Sequence, residues 1–218
     1  MFMRQLLGVM LLVLFIALCG SIDRSIVKAQ ASNSPQADTK DDETNLDTQL
    51  YLIVATNQEV ADTKLPSSLD AVIKQLRAAL PFKNYRLAAT LINRVKNEGR
   101  LDLSWVGGPL VSSLSGSTPA MNPSFSQFKV RQVKLVRNAE GQPMVQMAGF
   151  SFGARIPIQT SGAIAANGAV APVINYEPTG LATDISLHEG APVVVGTLNV
   201  GPSGDAIILV VSAKRTLK

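Results

Sequence analysis

The chain contains one cysteine and one histidine among its 218 residues, and aromatic residues make up only 5% of it. Cys19 lies in an N-terminal apolar run and follows Leu18, whereas the lipidated cysteine of a bacterial lipoprotein follows a small residue. Cleavage of this run leaves a chain with no disulfide, thiol nucleophile or thiolate metal site. Catalytic zinc sites commonly use two or three histidines. The composition therefore predicts no metal and no cofactor.

His188 is the one residue through which a serine–histidine–aspartate triad could work. It stands before Glu189 and Gly190, a context typical of a solvated residue at the end of a strand. The stretch GPSGD at Gly201–Asp205 does not have the spacing of G-x-S-x-G and is typical of a tight turn. No G-x-x-x-x-G-K-[ST] phosphate loop is present. We expect a protein that is not an enzyme and has no catalytic residues, with a small periplasmic hydrolase using His188 as the alternative.

The charge balance is close to neutral once the N-terminal segment is set aside. The formal net charge is +4, from 20 basic and 16 acidic residues. Removing Arg4, Arg24 and Lys28 together with Asp23 leaves 17 basic and 15 acidic residues. Nucleic-acid binding needs a clustered basic face with stacking aromatics, and these lysines and arginines are scattered. The sequence predicts no nucleic-acid partner.

Residues 1–31 have the order of a secretory signal peptide. Arg4 precedes the uncharged run Leu6–Cys19, which is shorter than the ~20 apolar residues that span a bilayer. The segment then ends in a small-x-small pattern at Ala31, which predicts cleavage between Ala31 and Ser32. Retention of the segment as an N-terminal anchor is the alternative. An exported protein is expected, in the periplasm, at the outer membrane or outside the cell.

The first folded segment has the pattern of a strand followed by a helix. Gln49–Asn57 is apolar and β-branched, as in a buried strand. Ser67 and Asp70 have the spacing of a capping box, and Pro81 ends the helix. The apolar residues between these signals recur at three- and four-residue steps and predict one buried stripe. They are Leu65, Leu69, Val72, Ile73, Leu76 and Leu80.

The rest of the chain alternates between apolar and polar residues, the period of β-strands. Tyr85–Trp105 contains the turn sequence NEG and predicts a hairpin that the helix covers. Beyond residue 124 only strands are predicted, and the last three, Leu181–Leu187, Val193–Val200 and Ala206–Thr216, form an antiparallel meander. The last strand is apolar on both faces, which predicts a central position.

We therefore predict an α+β fold, a small strand–helix–hairpin unit followed by an antiparallel β-meander, β-rich overall. Residues 32–48 are polar and acidic, which indicates a disordered linker. The predicted boundaries are a signal peptide at 1–31, the linker at 32–48, the α+β unit at 49–106, a loop at 107–124 and a β-rich region at 125–218.

The C-terminal region contains three short patterns: a Gly-x-x-x-Pro strand, a later Tyr-x-x-x-Gly segment and a Gly-x-x-Val-Val-x-Gly pattern. Their residues are Gly153, Pro157, Tyr176, Gly180, Gly190, Val193, Val194 and Gly196. In this order they resemble the bacterial secretins, the outer-membrane channels of type II and type III secretion systems and type IV pili. The resemblance is short and local, and the segment after Pro123 is too short for the channel domain of the family. The resemblance therefore implies a truncated relative without a complete pore of its own.

This resemblance implies that the chain pairs through β-strands with itself or with a secretion or pilus assembly in the envelope. The strands expected to offer an exposed edge are Phe125–Val136 and Arg155–Ile158. Membrane contact is left open, but no transmembrane helix is expected in the mature chain. A monomeric ligand-binding module with a rim formed by loops 107–124 and 161–171 is a further alternative.

Overall fold

A computed structural model describes residues 44–59, 64–108, 110, 122–164, 170–200 and 204–216. The predicted signal peptide and cleavage site, most of the predicted linker and most of the predicted loop 107–124 lie outside the described residues. The elements are β1 (Asn45–Thr56), a 3-10 turn (Ser67–Leu69), α1 (Asp70–Ala79), β2 (Asn84–Lys96), β3 (Leu101–Gly107), β4 (Ser124–Val130), β5 (Gln132–Arg137), β6 (Pro143–Ile164), β7 (Val170–His188), β8 (Val193–Val200) and β9 (Asp205–Arg215). The β-rich prediction is confirmed. β1 begins at Asn45, inside the segment predicted to be linker.

The strands form two antiparallel sheets. Sheet A has the order β2-β1-β9-β8. Sheet B has the order β3-β4-β6-β5, and β7 also pairs with β6. β4 and β5 pair with successive parts of β6, separated by a bend at Arg131. The first and last described strands are therefore neighbours, because β1 pairs with β9 from Leu46–Arg215 to Ala55–Ala206.

β1 and β9 are the central strands of sheet A, and both are buried on both faces. Leu52, Ile53 and Val54 are successive residues with no exposed surface, and the same is true of residues 206–211. Successive side chains point to opposite faces of a sheet, so a strand covered on both sides reads as a continuous apolar run. The predicted central position of the last strand is confirmed.

One face of sheet A is covered by α1. The predicted stripe packs there: Leu69, Val72, Ile73 and Leu76 are buried, and Leu65 and Leu80 are partly buried against them. The predicted capping box does not form, because no side chain caps the helix and a 3-10 turn precedes Asp70. In that turn the Leu69 N–H donates to the Pro66 carbonyl.

The other face of sheet A packs on sheet B and forms the main core. Phe128, Phe150 and Phe152 supply its largest fully buried side chains, with the Phe128 and Phe150 ring centroids 5.2 Å apart. Leu209 and Val211 of β9 lie in the same cluster. The molecule is thus built in three layers, helix, sheet A and sheet B, which leaves the outer face of sheet B in solvent.

The predicted hairpin Tyr85–Trp105 is wrong in its pairing. β2 pairs with β1 and β3 pairs with β4, so the two strands lie in different sheets. The turn between them hydrogen-bonds to β5 instead: the side-chain carbonyl of Asn97 accepts from the Leu135 N–H at 2.8 Å. The Glu98 N–H donates to Val133, whose own N–H donates to Gly99. These bonds direct the chain from one sheet into the other.

The predicted C-terminal meander is right for its last two strands and wrong for its first. β8 pairs with β9 in sheet A, whereas β7 pairs with β6 in sheet B. The chain crosses between the sheets at Glu189–Ala191, where Gly190 has a φ of 81° and donates its N–H to the Ala213 carbonyl. Because β7 does not continue the meander, it becomes the outer strand of sheet B.

Candidate functional site

The longest feature of the described chain is the hairpin of β6 and β7. Their pairing runs from Met144–His188 to Ile164–Val170, so strand structure continues through residues 161–164, where a loop was predicted. A strand of 22 residues spans roughly 70 Å. β4 pairs with β6 only as far as Arg155, opposite Phe125. Beyond that pair, the hairpin has only two strands among the described residues.

The secretin-like motif positions on this hairpin face each other. Gly153 lies opposite Gly180, and Pro157 lies opposite Tyr176. A Cβ atom on Gly180 would lie 2.5 Å from the Phe152 carbonyl oxygen, so no larger residue fits without a shift. The two pieces of sequence, separated by the Gly/Ala-rich interruption, therefore fix one register between β6 and β7.

The remaining motif positions lie on β8 and in the turn before it. A Cβ atom on Gly196 would lie 2.7 Å from a Leu181 methyl carbon, so this glycine lets β7 approach β8 closely. Val193 and Val194 pair with Val211 and Val210 of β9 and pack on opposite faces of sheet A. Val193 and Gly196 therefore lie on the side of β8 that faces sheet B, and Val194 lies on the side that α1 covers.

The outer face of sheet B contains an open groove of about 480 Å³. Gly153 forms part of its floor, where a Cβ atom would meet open space. Ser104 and Gln127 lie in the same row across the strands. The missing side chain at Gly153 therefore leaves a depression on a face that solvent reaches.

An exposed apolar row borders this groove. Phe125 and Tyr176 are 45% and 40% exposed, and their ring centroids lie 5.6 Å apart. Val106, opposite Phe125 on β3, is 63% exposed. The exposure of Phe125 was not predictable, because it lies between Ser124 and Ser126, which are polar and yet buried. The proximity of Val106 and Phe125 to Tyr176 depends on the long hairpin and was not predicted.

Of the two predicted edges of sheet B, Phe125–Val136 is wrong and Arg155–Ile158 is right only for Ile156–Ile158. The Phe125–Val136 segment is not an exposed edge, because β4 lies between β3 and β6 and β5 is bonded to the turn at Asn97. Arg155 pairs on both sides, and Ile156–Ile158 pair with β7 alone. Within the described ranges, β7 pairs only with β6, and β3 only with β4. Residues 175–178 of β7 are all exposed, so solvent reaches both faces there.

His188 is an exposed residue at the end of β7, opposite Met144. The neighbouring carboxylate of Glu189 is engaged elsewhere, since its two oxygens each accept from the Arg215 Nε at 3.0 Å. Burial opposes ionisation of Glu189, but these bonds and the charge of Arg215 outweigh it and lower the pKa of the carboxyl. No cluster of three metal-ligating side chains occurs among the residues described.

The sequence does contain one G-x-S-x-G stretch, Gly149–Gly153, which our sequence analysis missed. In α/β-hydrolases this motif exposes its serine on a sharp turn from strand to helix. Here Ser151 lies within β6, between Lys129 of β4 and Ala182 of β7. It is seven residues along β6 from the partner of His188, roughly 23 Å at ordinary strand rise. The structure brings no triad together around it.

No protein-family model matches this chain, and no curated protein matches it. Among solved structures, the chain is similar to the secretin InvG of the Salmonella SPI-1 type III secretion injectisome, with 9% identity and a TM-score of 0.31 over 81% of this chain and 66% of InvG. It is also similar to the type IV competence pilus secretin PilQ of V. cholerae, with 11% identity and a TM-score of 0.34 over 80% of this chain and 59% of PilQ.

A third similar structure is the type II secretion outer-membrane complex of Klebsiella pneumoniae, which contains PulD, PulS and the PulC HR domain. The identity is 12% and the TM-score 0.33, over 80% of this chain and 39% of the matched one. This chain therefore spans less than two thirds of each of these three proteins. In the described part of the chain, no helix is long and apolar enough to cross a membrane.

Proposed function

We propose that this chain is an exported, secretin-related envelope protein that acts without catalysis, by pairing β-strands with copies of itself or with a secretion or pilus assembly. The observation that carries the proposal is the outer strand β7. It has no second partner strand among the described residues, and residues 175–178 are exposed on both faces. The outer edge of a long strand that is paired on one side only offers main-chain donors and acceptors to another chain.

The two outer strands of sheet B suggest how copies would join. β7 and β3 lie on opposite sides of the sheet, so β7 of one copy placed beside β3 of the next would extend sheet B from chain to chain. Such a head-to-tail contact uses two different surfaces and closes into a ring if the rotation per copy allows it. The apolar row of Val106, Phe125 and Tyr176 would lie at the ends of this contact and exclude water from it.

Light scattering after size-exclusion chromatography, on the full chain in buffer and in mild detergent, tests self-assembly. A discrete oligomer is expected, and a monomer under both conditions would contradict self-assembly. A monomer that pulls down envelope proteins would instead favour docking to a larger assembly. The loop-rimmed binding module, whose loops lie mostly outside the described residues, also predicts a monomer.

Disulfide cross-linking tests the proposed contact itself. In a Cys19→Ser background, Ser104→Cys on β3 combined with Ala182→Cys on β7 should yield disulfide-linked ladders under mild oxidation. Both positions are exposed and lie on the two outer strands. The matched control pairs Ser104→Cys with Gln75→Cys on the exposed side of α1, and should remain monomeric on a denaturing gel. Equal ladders in both variants would contradict the β3–β7 contact.

His188→Ala separates this proposal from a hydrolase. Assembly and stability should remain unchanged, because the side chain is exposed and has no hydrogen bond in the described structure. Loss of a hydrolytic activity in this variant would favour the enzyme.

A further inference from the structure

A second groove lies on the opposite side of the molecule, between α1 and the chain that leads into it. Its volume is about 880 Å³. Lys64 borders it on the entering chain, Lys74 and Arg77 border it on the helix, and Tyr85 reaches it from the start of β2. It lies on the far side of sheet A from sheet B, so it is separate from the β3 and β7 edges.

The hydroxyl group of Tyr85 is buried and has no hydrogen-bond partner among the described residues. The side chain is only 7% exposed, and its ring packs in the cluster that contains Ile73 and Leu76 of α1. A buried hydroxyl without a partner is costly, so such a group is expected to bond to something that the protein itself does not supply. Because Tyr85 lines the groove, a bound ligand can supply the acceptor.

The charges around this hydroxyl are predominantly positive. The groove is lined by three cationic side chains, Lys64, Lys74 and Arg77, and by one carboxylate, Asp70. Lys74 and Arg77 are three residues apart on α1 and therefore lie on the same side of the helix. In the described structure, none of the three cations forms an ion pair with a carboxylate. The groove thus has an excess of two positive charges and five side chains that can donate: two ammonium groups, one guanidinium, the Ser67 hydroxyl and the Tyr85 phenol.

We propose that this groove binds a phosphate group. A phosphomonoester has a charge close to −2 at neutral pH and three terminal oxygens that accept hydrogen bonds. The charge matches the excess charge of the groove, and three oxygens can accept from several of its donors at once, whereas a carboxylate offers one charge and two oxygens. Arginine binds two phosphate oxygens at once, and lysine adds a point charge.

The protonation of Tyr85 agrees with this role. Burial raises the pKa of the phenol, although the nearby charge of Arg77 acts in the opposite direction. The hydroxyl therefore keeps its proton at neutral pH and can donate it to a phosphate oxygen. The phosphate can belong to a soluble molecule or to a lipid headgroup, and the test below separates these two sources.

Thermal unfolding and vesicle binding of the full chain test the proposal. The probes are inorganic phosphate at constant ionic strength, and phosphatidylcholine vesicles with and without phosphatidic acid. A saturable rise in Tm with phosphate supports a site for soluble phosphate. Binding that requires phosphatidic acid, without an effect of free phosphate, supports a headgroup site. Absence of both effects overturns the proposal, as does an equal rise in Tm with a polyglutamate peptide.

Variants locate the site. Lys74→Gln combined with Arg77→Gln should weaken phosphate binding at least about tenfold, because two charge-assisted bonds are lost. Lys96→Gln combined with Arg100→Gln also removes two positive charges, but at the opposite end of β2 from Tyr85. This pair should leave phosphate binding unchanged. Equal weakening by both pairs would indicate general electrostatic attraction and overturn the site.

Tyr85→Phe removes the hydroxyl and keeps the packed ring. This variant should bind phosphate several-fold more weakly, yet its Tm without phosphate should equal or exceed that of the native chain, because an unpartnered buried hydroxyl is removed. Unchanged phosphate binding would overturn the role of Tyr85. A lower Tm without phosphate would show that the hydroxyl has a partner within the protein, and would also overturn it.

Discussion

Gly153 and Gly180 lie directly opposite each other on β6 and β7, but only one of them is sterically required. A Cβ atom on Gly180 would lie 2.5 Å from the Phe152 carbonyl oxygen, whereas one on Gly153 would meet nothing within 4 Å. Two glycines of one sequence motif thus have different physical roles. Gly180 permits close approach of the strands, and Gly153 opens the groove on sheet B.

Gly180→Ala should lower the free energy of unfolding by about 1–3 kcal/mol, because the added methyl group must displace main-chain atoms of β6. Gly153→Ala is the matched control and should change stability by less than about 0.5 kcal/mol. Urea unfolding of the two variants measures both values. Equal destabilisation would show that both positions need glycine for their main-chain conformation, and that the steric contact at Gly180 is not the cause.

Phe125→Ser combined with Tyr176→Ser should weaken assembly and have a modest effect on folding. Phe125 and Tyr176 are 45% and 40% exposed, so loss of the ring contact should cost about 0.5–1.5 kcal/mol, to which loss of their partial burial adds. The mass from light scattering should fall. Ile92→Ser is the control, since Ile92 is 68% exposed on sheet A, away from this row. A mass that responds to Ile92→Ser but not to the pair would place the contact on sheet A.

Asn97→Ala should destabilise the chain by about 1–3 kcal/mol, because the Leu135 N–H loses its acceptor at a buried turn. Asn138→Ala removes a similar bond at an exposed hairpin, in which the Asn138 side-chain oxygen accepts from the Gln142 N–H. That control should cost less than about 1 kcal/mol in urea unfolding. A similar loss of stability in both variants would mean that burial of the Asn97 turn does not increase the cost of losing its hydrogen bond.

Stability should fall in acid partly through Glu189. Burial raises the pKa of the Glu189 carboxyl, but the hydrogen bonds and charge of Arg215 lower it by more. In the folded chain the pKa of Glu189 therefore lies below its ordinary value of 4.5. The native ion pair is therefore fully stabilising above that ordinary value and is lost as the pH falls through the lower, folded pKa.

Glu189→Gln tests whether the Glu189 ion pair loses its stabilising effect as the pH falls. The difference in free energy of unfolding between the native chain and the variant should be constant near neutral pH and shrink as the pH drops below about 4.5. Glu98→Gln is the control, since the side chains of Glu98 and its partner Lys134 are each 47% exposed and such a surface pair should contribute little. A difference that grows in acid would contradict the assignment.

Several features were predictable because they depend on local sequence alone. The apolar stripe of α1 and the doubly buried run 206–211 follow from periodicity, which records which faces of a helix or strand avoid water. The solvated position of His188 and the turn at Gly190 followed from the short context around them.

The pairing of the strands was decided only by the tertiary structure. A period of two specifies a buried face, but it does not specify which strand lies alongside, so β2 with β3 and β7 with β8 were wrongly joined. The bonds from the Asn97 turn to β5 join segments that are distant in sequence. The same holds for the contact of Phe125 with Tyr176 and for the burial of the Tyr85 hydroxyl beneath α1. Sequence determined which surfaces of each element are apolar, and long-range packing determined which of those surfaces meet.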